Sequence, residues 1–380
     1  MATTPIISFQ ESGLTLPLSS VDSINLRFSI FNLFTSGSIT ITDATKAYSN
    51  NIKIGDTVYI QLVYDSDRSY IIPLSVLSIS RAGSEAIADK LTLSLVSKIY
   101  FETQVNTLCH KGNVGTIVRD IAEKFLGDSL SPIENSRMDI SNTQDSQRYR
   151  YQTGETYPNF IGRIMKYAII GDEPVYAYFD TKGTFCVKGV SEFKSVEPQM
   201  VIAAPSVAIK GVNAGKTMRR MEYYNGVLHM SDSYVSKIES IFCDSLFKSN
   251  SDRVTSLEST DISGDQNSAR NPSVRKNFPG VVNYYGWHRT PEDTRSIASR
   301  NNFESLALNY KFSASFEGWN TRDLSLGTIL YLLLPQTPTE TNASGSEVNA
   351  GEGKYMVTDI VFDYSDSLFT THATMAQTDC

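Results

Sequence analysis

One short phrase occurs twice in this chain of 380 residues: IKIGDTVYI at 52–60 and LSLGTILYL at 324–332. Laid over one another without a gap, Gly55 falls on Gly327 and Tyr59 on Tyr331, and apolar residues meet at four further positions. A glycine followed by alternating apolar residues is the grammar of a turn that opens a strand. The neighbours agree in kind. YIIPLSVLSIS (70–80) lies over YMVTDIVFDYS (355–365), with Tyr70 on Tyr355, Val76 on Val361 and Ser80 on Ser365. The difference in spacing is absorbed by the polar stretch PQTPTETNASGSEVNAGEG (335–353), which reads as a flexible hairpin insertion. Two accounts of the pairing stay open. Unrelated β-domains can share strand grammar, or one β-domain has been duplicated within the chain.

The rest of the chain fits around the two phrases. SINLRFSIFN (23–32) places Ile24, Leu26, Phe28 and Ile30 on one face, and GSITIT (37–42) and LTLSLV (91–96) alternate likewise. These strands predict a β-meander that closes on itself as a small barrel or sandwich. The period then changes. In VGTIVRDIAEKFL (114–126) apolar residues recur at helical spacing, and Gly127 supplies a stop. After the polar run ENSRMDISNTQDSQRYR, GETYPNFIGRIMKYAII predicts a second helix with Pro158 in its first turn. VYAYFDTKGTFCVKG (175–189) predicts a hairpin turning at Thr181-Lys182-Gly183. MEYYNGVLHM reads as strand, 248–280 as a long mobile loop, PEDTRSIASRNNFESL (291–306) as a helix, and the end of the chain as strands.

The fold class expected is therefore α+β, mostly β: two similar small β-domains flanking an inserted helix-plus-hairpin module. The first β-domain takes 1–103 and the inserted module 104–195. A strand or strands of the second β-domain follow at 196–222, the module continues through 223–300 with its polar loop, and 301–380 completes the second β-domain. In TILYLLLP both strand faces are apolar, whereas TVYIQLVY carries Thr57 and Gln61 on one face. Ile329, Leu330, Leu332 and Leu333 thus form a candidate subunit-interface strand, since a doubly apolar strand needs a cover on each face from the chain or a neighbour.

Composition excludes several functions. The net charge is −7 and the largest basic cluster is Arg219-Arg220 with Lys216 nearby, too small for a specific nucleic-acid groove. No run of about 18 apolar residues exists to predict a membrane span. MATTPIISFQESG lacks the basic start and apolar stretch of a signal peptide, which predicts synthesis in a cytoplasm. Cys109, Cys186, Cys243 and Cys380 stand far apart with no metal or disulfide spacing.

In the order of these parts the chain resembles the baseplate central hub proteins of contractile-tailed bacteriophages, and more distantly the hub part of type VI secretion spike proteins and pyocins. The resemblance spans nearly the whole chain. It rests on two β-domains flanking TYPNFIGRIMKYAI running into VYAYFDTKGTFCVKG, and on PEDTRSIASRNNFESL feeding FSASFEGWNTRDLSLGTILYLLLP, with Leu324-Ser325-Leu326-Gly327 as the Leu-x-x-Gly passage. It implies two tail-tube-like domains and a non-enzymatic homotrimeric ring with a pseudo-sixfold face. That ring would join the tail tube, or a tube-initiator protein, to a threefold membrane-piercing spike and pass the genome, with baseplate wedge proteins around it. The location implied is the virion tail baseplate, assembled in the host cytoplasm. The chain departs from some relatives in carrying no fused spike, OB-like or lysozyme domain, which implies a separate spike protein.

GVNAGKT (211–217) has three residues between its glycines where a phosphate-binding loop needs four, and strand pattern follows it. His110, His229, His288 and His372 are scattered, no GxSxG elbow occurs, and no cofactor or metal is expected. NYYGWHR (283–289) clusters aromatics as a sugar platform would. A cell-wall glycan hydrolase or a carbohydrate-binding adhesin of a tail are the alternatives to the hub.

Overall fold

The computed structural model describes residues 5–43, 46–48, 50–63, 69–82, 90–101, 105–127, 138–171, 173–203, 218–225, 237–243, 252–258, 281–286, 296–297, 299–300, 303–304, 307, 310–317, 324–333 and 353–377. The alternation of the first hundred residues becomes a ladder of strands: β1 (Ile6–Phe9), β2 (Thr15–Leu16), β3 (Val21–Ser29), β4 (Ser36–Thr42), β5 (Thr57–Val63), β6 (Ser69–Ala82) and β7 (Lys90–Val96). Ile24, Leu26 and Phe28 of β3 and Ile39 and Ile41 of β4 are buried on one face. The pairing corrects the expected meander. β4 pairs with β7 rather than β5, so the order runs β3-β4-β7-β6-β5-β1-β2. Periodicity reports which face a strand buries, not which strand lies beside it.

The inserted module follows. It comprises β8 (Asn106–Gly112), α1 (Val114–Gly127), β9 (Met138–Ile140), β10 (Arg148–Glu155), α2 (Tyr157–Ile164), β11 (Ile169–Ile170), β12 (Glu173–Phe179), β13 (Phe185–Gly189) and α3 (Val190–Lys194). Both expected helices and the hairpin are present, and Gly183 in the turn adopts φ +79°. β12 is apolar on both faces and is covered on both. Tyr176 and Tyr178 join the core of the ladders, while Val175, Ala177 and Phe179 pack with Ile117, Ile121, Phe160 and Ile164 of the helices. The polar run before α2 holds β9 and the start of β10.

The remaining strands are β14 (Met200–Ala203), β15 (Met218–Asn225), β16 (Lys237–Cys243), β17 (Asp252–Glu258), β18 (Val281–Gly286), β19 (Tyr310–Glu317), β20 (Ile329–Leu333), β21 (Gly353–Ser365) and β22 (Leu368–Gln377). β17 corrects the expected loop at 248–280, because it pairs with β16 in a three-stranded sheet that also holds β18. The rest of that loop, the insertion at 335–353 up to its last residue, and GVNAGKT lie outside the described residues. Of the helix expected at 291–306, Ser296, Ile297, Ser299, Arg300, Phe303 and Glu304 are helical and the others lie outside.

β15, β19, β22, β21 and β20 form a second ladder in the order β15-β19-β22-β21-β20, with β14 beside β20. Among the described residues neither ladder closes into its own barrel. They share one 13-stranded sheet, joined where β21 pairs antiparallel with β3. One apolar core runs through both, from Ile7 and Val58 to Ile329, Phe362 and Met375.

Candidate assembly site

The repeated phrase folds the same way twice. Gly55 adopts φ +93° and Gly327 φ +77°, a region that residues with a Cβ enter only under strain. Gly55 N donates to Val76 O at 2.8 Å and Val76 N to Asp56 O at 2.9 Å. Gly327 N donates to Val357 O at 2.8 Å and Val357 N to Thr328 O at 3.0 Å. Asp56 thus stands where Thr328 stands, and Val76 where Val357 stands. The alignment over YMVTDIVFDYS was therefore four residues out: the counterpart of Val76 is Val357, not Val361. Each of these valines opens a β-bulge, Val76–Ser78 in β6 and Val357–Asp359 in β21.

The correspondence continues outward. Ser94 of β7 lies opposite Ser78, and Thr374 of β22 opposite Asp359. Ile39 of β4 faces Leu93, and Ala314 of β19 faces Ala373. Ile24 of β3 faces Ile39, and Met221 of β15 faces Ala314. A second bulge falls at matching places, between Val21 and Ser23 in β3 and between Met218 and Arg220 in β15. Bulges bend a strand and fix its register, so two at matching rungs make the ladders alike in shape as well as order. The likeness stops at β20, where β14 pairs parallel and its counterpart β1 pairs antiparallel to β5.

The seam uses this shape. Ile360, Phe362 and Tyr364 of β21 lie opposite Phe28, Leu26 and Ile24 of β3, with the Phe28 and Phe362 rings edge to face at 5.6 Å. Ile30 N donates to the carbonyl of the bulge residue Thr358 at 3.0 Å.

The module's hairpin tip reaches both ladders. A Cβ on Gly183 would stand 2.9 Å from Ile71 O and 3.1 Å from Pro73 Cδ of β6, so only glycine allows this approach. Thr181 Oγ1 donates to Leu324 O at 3.1 Å, and Lys182 Nζ sits 5.3 Å from the Tyr70 ring centroid. On α3, the Phe193 ring covers Gly327 so closely that a Cβ there would fall 2.2 Å from Cε1.

Desolvation shapes the titratable groups of this hairpin. Burial pushes the Tyr176 and Tyr178 phenols and the Cys186 thiol well above their ordinary ranges, keeping them neutral. Burial also raises the Asp180 carboxyl, although Lys182 N and Thr184 N donate to its Oδ1 at 2.9 and 2.8 Å. Tyr176 donates to Glu304 Oε1 at 3.2 Å, and the Arg300 guanidinium stacks 4.3 Å over its ring. This is anchoring of the late helix against the hairpin. His110 stacks on Phe160 at 4.8 Å, and His372 Nδ1 lies 2.7 Å from Ser315 Oγ. No group of three or more metal-ligating side chains occurs among the described residues.

Tyr59 and Tyr331 are half-buried on equivalent strands, and the Tyr59 hydroxyl donates to Gln10 Oε1 at 2.8 Å. Ile329 and Leu330 face opposite sides of β20, and the chain itself covers both, at 2% and 0% exposure. The side chains of Leu332 and Leu333 lie outside the described residues. Of NYYGWHR, 283–286 belong to β18 and the remainder lies outside. The seam through β3 and β21 was missed in the sequence. Its signal was present in the alternation of DIVFDYS, but nothing in periodicity names a strand's neighbour.

No family model matches the chain, and no curated protein matches it by sequence. Solved structures do match in fold. A tail protein from Neisseria meningitidis MC58 is similar at TM-score 0.62 and 12% identity, covering 99% of this chain and 97% of its own. The prophage MuSo2 43 kDa tail protein from Shewanella oneidensis gives 0.61 at 12% identity, covering 98% of both chains. An E. coli component of the type VI secretion system, similar in structure to the T4 bacteriophage tail proteins gp27 and gp5, gives 0.53 at 10% identity, covering 98% of this chain and 76% of its own. The fold is that of phage tail proteins, as the resemblance in the sequence implied.

Proposed function

We propose that this chain is a structural hub of a contractile phage tail, acting through shape and not through chemistry. The observation that carries the reading is the matched pair of ladders, alike in strand order, glycine turns and both bulges, in a fold shared with phage tail proteins. In this reading each ladder is a tail-tube-like domain, the first at 1–103 and the second at 196–222 and 301–380. Three chains form a ring that presents six similar ladders to a sixfold tube. The inserted module at 104–195, continued at 223–300, supplies a threefold face for the spike. Wedge proteins surround the ring, the central opening passes the genome, and the protein resides in the virion baseplate. An acidic chain, net −7, suits such a passage, because repulsion keeps DNA from adhering.

Within the candidate interface strand β20, Ile329 and Leu330 are buried inside the chain, so any contact of β20 with a neighbour falls to Leu332 and Leu333. Mass measurement of the purified chain, alone and with tail extract supplying the spike, tests the hub. A trimer is expected in at least one of the two. A strict monomer in both, or turnover of peptidoglycan by the chain, would overturn it.

A further inference from the structure

The internal seam has two counterparts, one beside β6 and one beside β15, that no strand fills among the described residues. Along one side of β21, residues 353–356 pair with β20, and residues 359–365 continue on the same side against β3. Along the equivalent side of β6, residues 69–75 pair with β5, but among the described residues no strand continues beside Ser78–Ser80. At the far end, β15 stands where β3 stands in the first ladder and ends the sheet, pairing among the described residues with β19 alone. The chain therefore carries one half of the seam twice and the other half twice, and joins only one of each.

Exposure follows the same line. Ile360 is 0% exposed under the cover of β3, whereas its counterpart Ile79 is only half-buried. Thr358, whose carbonyl binds Ile30 across the seam, is 2% exposed, whereas its counterpart Leu77 is 36% exposed, a large apolar residue at the rim. An open strand edge beside exposed apolar side chains is a template for another strand.

Resting on the hub reading above, we infer that the edge of β6 at Ser78–Ser80 pairs with the outer edge of β15 in a second copy of this chain, in the register that β21 and β3 use within one chain. Carrying the internal pairs over by their counterparts places Ile79 opposite Asn225, as Ile360 lies opposite Phe28. It places Ser80 opposite Tyr224, as Val361 lies opposite Arg27. The contact is head to tail, so each added copy again offers one open β6 edge and one open β15 edge until a ring closes. In a ring of three, every ladder then meets its neighbours through the same kind of seam, whether the neighbour belongs to the same chain or the next.

Paired cysteines read the register directly, because residues directly opposite across antiparallel strands bring their Cβ atoms within disulfide reach. In a background with Cys109→Ser and Cys380→Ser, the full chain carries Ile79→Cys with Asn225→Cys. A second protein carries Ser80→Cys with Tyr224→Cys, at an exposed β6 position where substitution leaves the core alone. A third, out of register, carries Ile79→Cys with Tyr223→Cys. Oxidation of the first two is expected to shift the chain on a non-reducing gel to a closed three-chain band that thiol reverses, with no shift for the third. A trimer by mass that bridges neither in-register pair, or that bridges the third protein instead, overturns this seam and leaves the hub standing. A chain that stays monomeric at high concentration, with and without tail extract, and bridges nothing overturns both.

Discussion

At the residue scale, the two equivalent glycines carry unequal constraint. A Cβ on Gly55 would meet nothing within 4 Å, so Gly55→Ala costs only backbone strain, about 1–2 kcal/mol. At Gly327 the same strain is joined by overlap with the Phe193 ring, and Gly327→Ala should cost about 3 kcal/mol or more in denaturant unfolding. Adding Phe193→Ala should recover part of the second loss and none of the first, which a double-mutant cycle reads out. Asp180 gives a pH test. Its carboxyl binds a proton to higher pH in the folded chain than in the unfolded one, so its contribution to stability declines as pH rises above the usual carboxylate value near 3.8. Asp180→Asn keeps an acceptor for the Lys182 and Thr184 amides and removes that decline. The variant should match the parent below about pH 4 and gain on it as pH climbs, in unfolding curves taken across that range. Both glycines were legible in the repeated phrase. The Phe193 contact was not, because no local pattern joins α3 to a turn so distant in the chain.

Among the elements, legibility followed the polarity of the buried face. α1, α2 and the hairpin show apolar stripes and were found. The β8–β10 ribbon inverts the rule. Arg150 and Gln152 face inward at 8% and 0% exposure, while Tyr149 and Tyr151 face out at 55% and 57%. Its alternation therefore reads as a polar run unless the buried groups are known to be paired. They are. Asp145 takes Arg150 Nη2 at 3.0 Å and accepts Val114 N at 3.0 Å, while Thr143 Oγ1 accepts Gly115 N at 2.8 Å. The polar run thus supplies the first turn of α1 with acceptors from a distant segment, and the carboxylate suits the positive end of the helix. Asp145→Ala removes the carboxylate paired with buried Arg150 and takes the acceptor from the Val114 amide, for a loss of about 3–5 kcal/mol. Chemical denaturation, with hydrogen exchange at 114–117 rising more than in the ladders, checks it.

For the whole molecule, one core running through both ladders has a consequence that separate domains would not have. Phe362 is 2% exposed at the seam, edge to face with Phe28 and 5.4 Å from Phe369, so it packs against the first ladder and its own at once. Two domains linked by a small polar contact unfold one after the other, whereas ladders sharing a continuous apolar core unfold together. Phe362→Ala should cost about 3–5 kcal/mol and lower the midpoint for both ladders equally. Hydrogen exchange in denaturant distinguishes the cases, with peptides from β4 and β7 reporting one ladder and peptides from β19 and β22 the other. Coincident loss of protection, in parent and variant alike, is the expected result. If β19 and β22 open while β4 and β7 stay protected, the seam is a contact between independent bodies. The inner and outer seams would then lose their common physical basis, since a join that holds two ladders as one body within a chain is what three chains would need to hold six.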